Sequence, residues 1–369
     1  MFRAARSARD QTCRTQHAAH YTLCPAIRVV STLDVPRHWT AVPNTVIICL
    51  TSKPKAQCVS VDKPPAIAPD SREWSLPAGH APTLGRIGVL CHPKIDRSHV
   101  LAEEIATALG QLGAHVWVGS AWNENAVLAQ IEHLDLLVTL GGDGSMLRAA
   151  RMSAPFGVPI LGINLGRLGF LTEIEPDQWP ESLPRVLEGG YRIEECMMLR
   201  AESRRGDKLL GSHDALNDVV VSRGSLARAV RIHTHIDGYH LTHYVADGLI
   251  VSTATGSTAY ALAVGGPILP PTLDNILLIP IAPHLSMERA IVLNQGATVD
   301  MRVVTDHQAI LTVDGQFEFT LLDGDRVTVR ASPHIARFVR LQSPAHFYRT
   351  LMARLRMAND EPPEQRGGR

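Results

Sequence analysis

The sequence has no excess of charge of either sign and no apolar run long enough to cross a bilayer. It contains 36 basic and 36 acidic residues among 369, which gives no support to a general role on nucleic acids or at a membrane surface. The longest apolar run, Ile276 to Ala282, is interrupted by Pro280 and followed by Pro283, whereas a transmembrane helix needs about 20 apolar residues. We therefore expect neither a nucleic-acid nor a membrane partner.

The sequence also lacks cysteine pairs at the spacing of a zinc site, and no signal peptide is recognised ahead of its cysteines. Scattered cysteines of this kind are typical of reduced thiols in a cytoplasmic protein, which is the location we expect. The six are Cys13, Cys24, Cys49, Cys58, Cys91 and Cys196.

The first 84 residues have little sustained periodicity and include the Pro-rich stretch KPPAIAP. We expect a disordered extension of unknown role, or upstream sequence that is not present in the mature chain. The Arg-rich start MFRAARSARD leaves an organelle transit peptide open as a less favoured alternative. The run VIICL is suited to a strand, but nothing nearby clearly pairs with it.

Regular patterning begins near Arg86. Short apolar runs alternate with segments of helical spacing, which predicts an α/β domain with a parallel sheet over residues 85–190. The predicted strands are IGVLCH, HVWVG, DLLVTL and VPILGIN, and the predicted helices cover 99–112 and 145–151.

The pattern changes near Tyr191. Short strand-like segments with turns between them predict a β-rich domain over 191–343, with hairpin turns at the Asp-Gly pairs. Residues 344–369 predict a final amphipathic helix, Phe347–Met357, and a disordered tail. The Asp-Gly pairs are Asp237-Gly238, Asp314-Gly315 and Asp323-Gly324.

The run DLLVTL ends in GGDG, just before a predicted helix. The carboxyl ends of parallel strands form the ligand-binding edge of such a sheet, and a helix start offers free N–H groups to phosphate. Asp143 in this turn either caps the helix or acts on a ligand, as a proton acceptor, a hydroxyl anchor or a metal ligand near phosphate. The spacing fits neither GxGxxG nor GxxxxGK[ST], so a site here is of another type.

Three later stretches favour the ligand interpretation. LGINLGRLGFLTEI places a second glycine-rich loop at the same edge of the sheet. In ALNDVVVSRGS, Asn217 and Asp218 either accept hydrogen bonds from a ligand or form an ordinary turn. ADGLIVSTATGSTAYALAVGGPIL is the most specific stretch, because it collects hydroxyl groups around Gly256 before a predicted helix of small residues.

These stretches, together with DGQ, stand in the order of the motifs of the NAD kinase family, which the chain resembles from about Arg86 to about Leu355. The GGDG turn alone is shared with diacylglycerol, sphingosine and 6-phosphofructo kinases, whereas TGSTAY with the upstream Asn-Asp pair is much more specific to NAD kinases. The resemblance implies transfer of the ATP γ-phosphoryl group to the 2′-hydroxyl of the adenosine ribose of NAD, giving NADP and ADP. It also implies Mg²⁺ or another divalent cation with ATP, a site in the cleft between the two domains, a final helix that returns to the first domain, and a homodimer or homotetramer.

The resemblance further implies roles for single residues. Asp143 would be the catalytic base or hydroxyl-orienting group with Gly144 beside it, and Asn217 and Asp218 would bind NAD. Asp247 would contact the nicotinamide end. The other implied contacts are Arg228 near the dinucleotide, Thr255, Thr258, Ala259, Tyr260, Ala261, Leu262 and Ala263 along the adenine half, and Ala282 and Gln316.

Apart from the resemblance, Arg148 and Arg167 are candidate phosphate contacts because they are basic and close to the glycine-rich loops. No metal ligand among the residues of the chain is expected. Since the segment lacks a P-loop lysine, Mg²⁺ on the nucleotide is expected to neutralise much of the phosphate charge.

The chain departs from the family pattern at two places. Many bacterial members have a basic residue two positions before the Asp-Gly aspartate, where this chain has Val245. Loss of a cation near the nicotinamide ring predicts better tolerance of NADH. The segment APHLSMERAIVL is one residue shorter after His284 than usual, so the assignments of Ala282 and Gln316 are less secure.

Two other functions are consistent with part of the pattern. A lipid kinase would share the GGDG turn, but the TGSTAY stretch and the lack of an amphipathic membrane-binding helix argue against it. A non-enzymatic dinucleotide-binding protein would keep the loops without needing Asp143, so the presence of that aspartate favours an enzyme.

Overall fold

The computed structural model describes residues 84–166, 169–224, 228–284 and 287–360, and three strands nearer the N-terminus. The chain divides into two compact units, Met1–Trp74 and Ser75–Arg369. The three strands of the first unit form an antiparallel sheet, so the run VIICL does have partners. They are β1 (Ile27–Val29), β2 (Thr45–Leu50) and β3 (Gln57–Asp62). These strands lie within the extension for which disorder is predicted; its other residues up to 83, the Arg-rich start included, are outside the described ones.

The second unit begins with the predicted alternation of strands and helices. Its elements are β4 (Arg86–Cys91), α1 (Asp96–Gln111), β5 (His115–Ser120), α2 (Glu124–Ile131), β6 (Leu136–Gly141), α3 (Asp143–Ser153), a 3₁₀ turn (Ala154–Phe156), β7 (Ile160–Asn164) and α4 (Trp179–Leu187). The strands pair in parallel in the order β7-β6-β4-β5. Every residue of β6 and β7 is buried, as expected for parallel strands covered on both faces.

The rest of the unit is β-rich, as predicted. Its elements are β8 (Arg192–Arg205), β9 (Lys208–Ala215), β10 (Asp218–Arg223), β11 (Val230–Ile236), β12 (Tyr239–Ala246), β13 (Gly248–Thr253), a 3₁₀ turn (Thr255–Thr258), α5 (Tyr260–Ala263), β14 (Ile276–Ile281), β15 (Ile291–Leu293), β16 (Val299–Val304), β17 (Ala309–Val313), β18 (Phe317–Leu321), β19 (Arg326–Arg340) and α6 (His346–Asp360). One antiparallel sheet has the order β15-β14-β13-β10-β17-β18.

A second, ten-stranded sheet joins the α/β and β-rich parts. Its path β12-β11-β16-β19 continues into β7 and the parallel strands, because the far end of β19 pairs in parallel with β7 at Phe338 and Ile160. β8 pairs antiparallel with β19 over almost its whole length. The predicted α/β and β-rich architecture is therefore confirmed, but no break in the sheet separates the two parts at residue 190.

The Asp-Gly pairs differ from one another. Asp237 and Asp314 have positive φ and each precedes a glycine with positive φ, the geometry of a tight hairpin turn. They join β11 to β12 and β17 to β18, as predicted. Asp323-Gly324 lies between β18 and β19, which belong to different sheets, so the hairpin predicted there is wrong.

Two further observations concern helices. The helix expected after TGSTAY is only the single turn α5, which ends at Ala263 and is followed by Val264 and by Gly265 with a positive φ. Over the part of the chain that the structure describes, no helix combines the length and the apolar character that a bilayer crossing requires.

Candidate functional site

Asp143 is held by the second glycine-rich loop and not by its own helix. It is the first residue of α3, whose N-cap is Gly142 with no side-chain cap. Its Oδ2 accepts a hydrogen bond from the N–H of Phe170 and its Oδ1 one from the N–H of Leu171, both at 3.1 Å. A Cβ at Gly169 would overlap Oδ1 of Asp143, so glycine allows this close approach. Asp143 is therefore not a helix cap, and its side chain is 29% exposed.

A buried ion-pair cluster braces the loop that holds Asp143. Arg340, at the end of β19, donates to the carbonyl of Leu171 at 3.0 Å and pairs with Glu194 at 2.8 Å and Glu173 at 3.3 Å. Burial raises the pKa of Glu194, but the Arg340 guanidinium outweighs it and leaves that pKa below its usual value. Removing one partner of such a buried pair typically lowers the free energy of unfolding by about 3–5 kcal/mol. The cluster therefore holds the loop firmly in position.

The last helix places a cation beside Asp143. Nη1 of Arg354 in α6 lies 3.8 Å from Oδ2 of Asp143, and its guanidinium lies 4.3 Å from the centre of the Phe170 ring. Phe347, the second residue of α6, contacts the same ring at 6.1 Å between centroids. Sequence reasoning missed Arg354, because helical spacing alone does not show which element a terminal helix packs against.

Gln316 ties the Asp-Gly-Gln turn to α3. Its Nε2 donates to the carbonyl of Gly144 at 3.2 Å, and its Oε1 accepts from Arg151 at 2.6 Å. Arg151 also pairs with Glu124. The structure thus brings Gln316 and Gly144 together across 172 residues of sequence.

The same turn holds the Asn-Asp segment through a carboxylate that the sequence analysis did not single out. Asp314 accepts hydrogen bonds from the backbone N–H groups of Leu216 at 2.8 Å, Asn217 at 2.8 Å and Asp218 at 3.0 Å. In return, the N–H of Asp314 donates to the carbonyl of Asp218 at 2.9 Å. Its sequence signals were its place in an Asp-Gly pair, which predicted a turn, and in the DGQ stretch, from which only Gln316 was given a role.

Asp218, which is buried, and Asp314, which is half-buried, form a carboxylate pair with raised pKa values. Burial, and then the charge of Asp314, raise the pKa of Asp218 to about 7. Burial raises the pKa of Asp314 to about 6, against the three N–H donors that favour its charged form. Asp314 therefore ionises first, and Asp218 keeps its proton until close to neutral pH.

The TGSTAY segment packs directly onto the Asn-Asp segment. The carbonyl of Asn217 accepts from the N–H of Thr253 at 2.9 Å and from the hydroxyl of Ser252 at 3.0 Å. A Cβ at Gly256 would overlap this carbonyl oxygen. Hence Gly256 is needed for the close approach of the two backbones.

Most hydroxyl groups of this segment stabilise the protein itself. Thr253 donates to the carbonyl of Leu216 at 2.5 Å, Ser257 to that of Leu269 at 3.1 Å, and Thr258 to that of Thr255 at 3.2 Å. The expectation that these hydroxyls as a group hold a ligand is therefore wrong for Ser252, Thr253 and Ser257, which are fully buried.

The segment 255–263, which contains the contacts expected for the adenine half, has both buried and exposed residues. Ala261 is fully buried in the core and Thr255 is 7% exposed, its hydroxyl without a hydrogen-bond partner among the described residues. Tyr260 is 44% exposed. The positions open to a ligand are Thr258, Ala259, Tyr260, Leu262 and Ala263.

Four other expected contacts lie away from Asp143 and Asn217. Asp247 and Gly248 mark the start of β13, whereas Asn217 adjoins its end, where Asp218 pairs with Ser252. The two ends are about 17 Å apart along β10, whose six residues are separated by five steps of about 3.3 Å each. The four are Arg228, Val245, Asp247 and Ala282.

Asp247 forms an ion pair with Arg223, whose Nε lies 3.0 Å from its Oδ1. Near it, Ala282 has φ +44, a conformation uncommon outside glycine that is often found at functional sites. The carbonyl of Val245 accepts from the N–H of His284 at 2.7 Å, so His284 has a local structural role. Arg231 stands directly opposite Val245 in the strand register, so a guanidinium lies on the strand next to the position that lacks a basic residue.

The remaining expected contacts have protein partners or lie outside the described residues. Arg228 is exposed, and its Nη1 lies 2.7 Å from Nε2 of His307. Arg148 lies 3.8 Å from Glu124 and 4.8 Å from the centre of the Trp122 ring. Arg167 lies outside the residues that the structure describes.

Known proteins match most of the chain. The profile of the ATP-NAD kinase N-terminal domain matches residues 89–191, and that of the ATP-NAD kinase C-terminal domain matches residues 216–341. An NAD kinase of Chloroflexus aurantiacus is 43% identical over 273 residues, which are 74% of this chain and 99% of that protein. An NAD kinase of Dehalococcoides mccartyi is 38% identical over 276 residues, 74% of this chain and 97% of that protein.

Two solved structures have the same fold over most of the chain. An NAD kinase from Archaeoglobus fulgidus in complex with ATP has a TM-score of 0.58 and 29% identity, covering 73% of this chain and 98% of its own. Yeast NADH kinase complexed with NADH has a TM-score of 0.67 and 23% identity, covering 76% of this chain and 90% of its own. At that identity the yeast protein is evidence for the fold alone.

Proposed function

Since the chain belongs to the NAD kinase family, we propose that the residues linked to Asp143 form the active site for phosphorylation of NAD by ATP. The reaction transfers the γ-phosphoryl group to the 2′-hydroxyl of the adenosine ribose and gives NADP and ADP. The observation that carries the site assignment is the Asp143 carboxylate, fixed by the N–H groups of Phe170 and Leu171 and still partly exposed.

The contacts of Asp143 suit a base that orients a hydroxyl. Each carboxylate oxygen accepts one backbone hydrogen bond, and an ionised carboxylate has about four lone-pair sites. The remaining sites are free to accept the proton of a ribose hydroxyl, which is a poor nucleophile at neutral pH. Because phosphoryl transfer depends mostly on positioning and charge stabilisation, a carboxylate fixed by a braced loop meets the first requirement.

The adenosine half of NAD is proposed to lie against Asn217 and the exposed part of the segment 258–263. The pair Asp218 and Asp314 holds this segment at a fixed distance from α3, through Gln316 and Gly144. Asp247, Val245, Ala282 and Arg228 are proposed to contact the rest of the dinucleotide.

Mg²⁺ is proposed to arrive with ATP. Asp143 is the only carboxylate of the GGDG turn, and Mg²⁺ at nucleotide sites is usually held by one or two carboxylates together with phosphates. Among the described residues no three acidic, His or Cys side chains converge on one point, so the other ligands would be phosphate oxygens and water. When bound, the ion neutralises negative charge on the transferring phosphoryl group. Arg354, beside Asp143, is proposed as a phosphate contact in place of a P-loop lysine.

An NAD analogue that lacks the 2′-hydroxyl of the adenosine ribose tests the assigned acceptor. We expect it to bind as a competitive inhibitor against NAD and to accept no phosphate. Formation of a phosphorylated product from this analogue would show that another hydroxyl is the acceptor.

We further propose a homodimer or homotetramer in the cytoplasm. The oligomer follows from the family, and the location from cysteines that are free among the described residues, Cys91 and Cys196. Light scattering on the full-length chain measures the oligomer directly, and a monomer at micromolar concentration would contradict it.

A further inference from the structure

The hairpin formed by β11 and β12 carries four histidines within the twelve residues HTHIDGYHLTHY. Ile232 and Thr234 of β11 are fully buried, as is Tyr244 of β12, so the alternate positions of each strand face outwards. None of the histidines belongs to the site described above. They are His233, His235, His240 and His243.

An irregularity in the hairpin gathers the four rings on the outer face. His233 pairs with His243 and His235 with His240, although the spacing is two residues in β11 and three in β12. The register shift lies between Thr234 and His235. An extra residue of this kind re-aims side chains, and here it brings His240 to the same face as His243.

The rings are close enough to share a ligand. Their centroids are separated by 4.0 Å for His233 and His243, 4.4 Å for His240 and His243, and 5.3 Å for His235 and His240. Nε2 of His240 and Nδ1 of His243 are 3.4 Å apart, which is long for a hydrogen bond. Two nitrogens bound to one tetrahedral Zn²⁺ at about 2.0–2.1 Å would be about 3.3–3.4 Å apart.

We propose that this hairpin binds one transition-metal ion of the zinc, nickel and copper group, with His240 and His243 as first ligands and His235 as the third. Imidazole nitrogen is a preferred ligand of these metals. No three such side chains among the described residues already converge on one point. The third ligand therefore joins through a side-chain rotation, which the outward-facing, partly exposed His235 is free to make.

Charged residues of the neighbouring strand β16 determine which of the two histidines of β11 is favoured as the third metal ligand. Arg302 stands opposite His233, and Asp300 stands opposite His235. A cation near His233 would be repelled by the Arg302 guanidinium, whereas the Asp300 carboxylate, which accepts from Thr328 at 2.6 Å, favours a cation near His235. The charges therefore select His235.

Calorimetric titration of the full-length chain with ZnCl₂ tests the proposal. The double variant His240→Ala with His243→Ala should bind one Zn²⁺ fewer per chain than the wild type, and His235→Ala should weaken that site by more than about 10-fold, the loss that even an outer-shell partner causes. Zn²⁺ bound elsewhere is common to all variants and cancels in the comparison. His133→Ala, an exposed histidine at the end of α2, is the matched control and should leave the titration unchanged.

Formation of NADP by each variant before metal is added establishes that it is folded. If the folded double variant binds as many Zn²⁺ ions as the wild type with the same affinity, the proposed site is wrong. An unchanged titration for His235→Ala would overturn the assignment of the third ligand.

Discussion

Replacement of Asp143 by asparagine should lower kcat by about 10²- to 10⁴-fold, the contribution typical of a general base. This range corresponds to roughly 3–5 kcal/mol of lost transition-state stabilisation. Asparagine also has one acceptor oxygen where the carboxylate has two, so one of the hydrogen bonds from Phe170 and Leu171 is lost. An unsatisfied buried donor costs about 1–3 kcal/mol, which should appear as a small loss of thermal stability.

The affinity for NAD should change much less than kcat, because the proposed contacts of the adenosine half are on Asn217 and the segment after it. A lost hydrogen bond of about 1.4 kcal/mol would weaken binding by about tenfold. The assay is steady-state formation of NADP, with the Kd of NAD measured separately by calorimetry. Near wild-type turnover of the Asp143→Asn variant would refute the assigned role.

A matched control is available in the same sheet. The carboxylate of Asp135 also accepts two backbone hydrogen bonds, from Gly85 at 2.9 Å and Arg86 at 2.8 Å. Asp135 precedes β6 and Asp143 follows it, so the two carboxylates lie at opposite ends of this strand. Asp135→Asn should therefore reduce stability and leave kcat unchanged. If both variants lost activity equally, destabilisation and not lost chemistry would be the cause.

Three further predictions concern other parts of the site. Gly256→Ala forces a Cβ against the Asn217 carbonyl and should cost about 1–3 kcal/mol of stability and weaken NAD binding; an unchanged urea midpoint and Kd would contradict this. The pKa of Asp218 is raised to about 7 in the folded protein. As the pH rises from about 4 to about 7, ionisation of this carboxyl is therefore easier in the unfolded chain, and the wild type loses stability. Asp218→Asn should therefore gain a few kcal/mol relative to wild type between pH 5 and pH 8 in urea titrations, and a pH-independent difference would refute the carboxylate pair. Lastly, kcat/KM for NADH should approach that for NAD and fall in Val245→Lys, whereas strong exclusion of NADH by the wild type would contradict the role given to Val245.

The α/β part of the fold was predictable because its inner strands β4, β6 and β7 are buried on both faces. Continuous apolar runs such as DLLVTL, bounded by turns, identify such strands without knowledge of their partners. The alternation in β8 and β19 likewise identifies two strands, but it specifies only which side chains face the core. That β19 joins the parallel sheet at β7 depends on a long-range pairing that no local pattern contains, so the boundary at residue 190 could not be corrected from the sequence.

The candidate site was predictable where backbone geometry demands particular residues. Gly169 and Gly256 mark close approaches, to Asp143 and to Asn217 respectively, and both lie in stretches singled out by their glycines. Charged side chains such as Arg354 and Asp314 carry no such mark. Their roles depend on packing between segments that are more than 90 residues apart.

Hydroxyl content was a misleading guide. Ser252, Thr253 and Ser257 were expected near a ligand because they cluster around a glycine at a strand end. In the structure they donate to the backbone carbonyls of Asn217, Leu216 and Leu269, and buried polar groups require such partners. A ligand-binding turn and a self-satisfied turn therefore have similar compositions.

Incubation of the full-length chain with ATP, Mg²⁺ and NAD, followed by identification of the nucleotide products, tests the central claim most directly. We predict equal amounts of NADP, phosphorylated at the 2′-position of the adenosine ribose, and ADP, with this product almost absent for Asp143→Asn. Binding of NAD without formation of NADP, or phosphorylation at another position, would contradict the account.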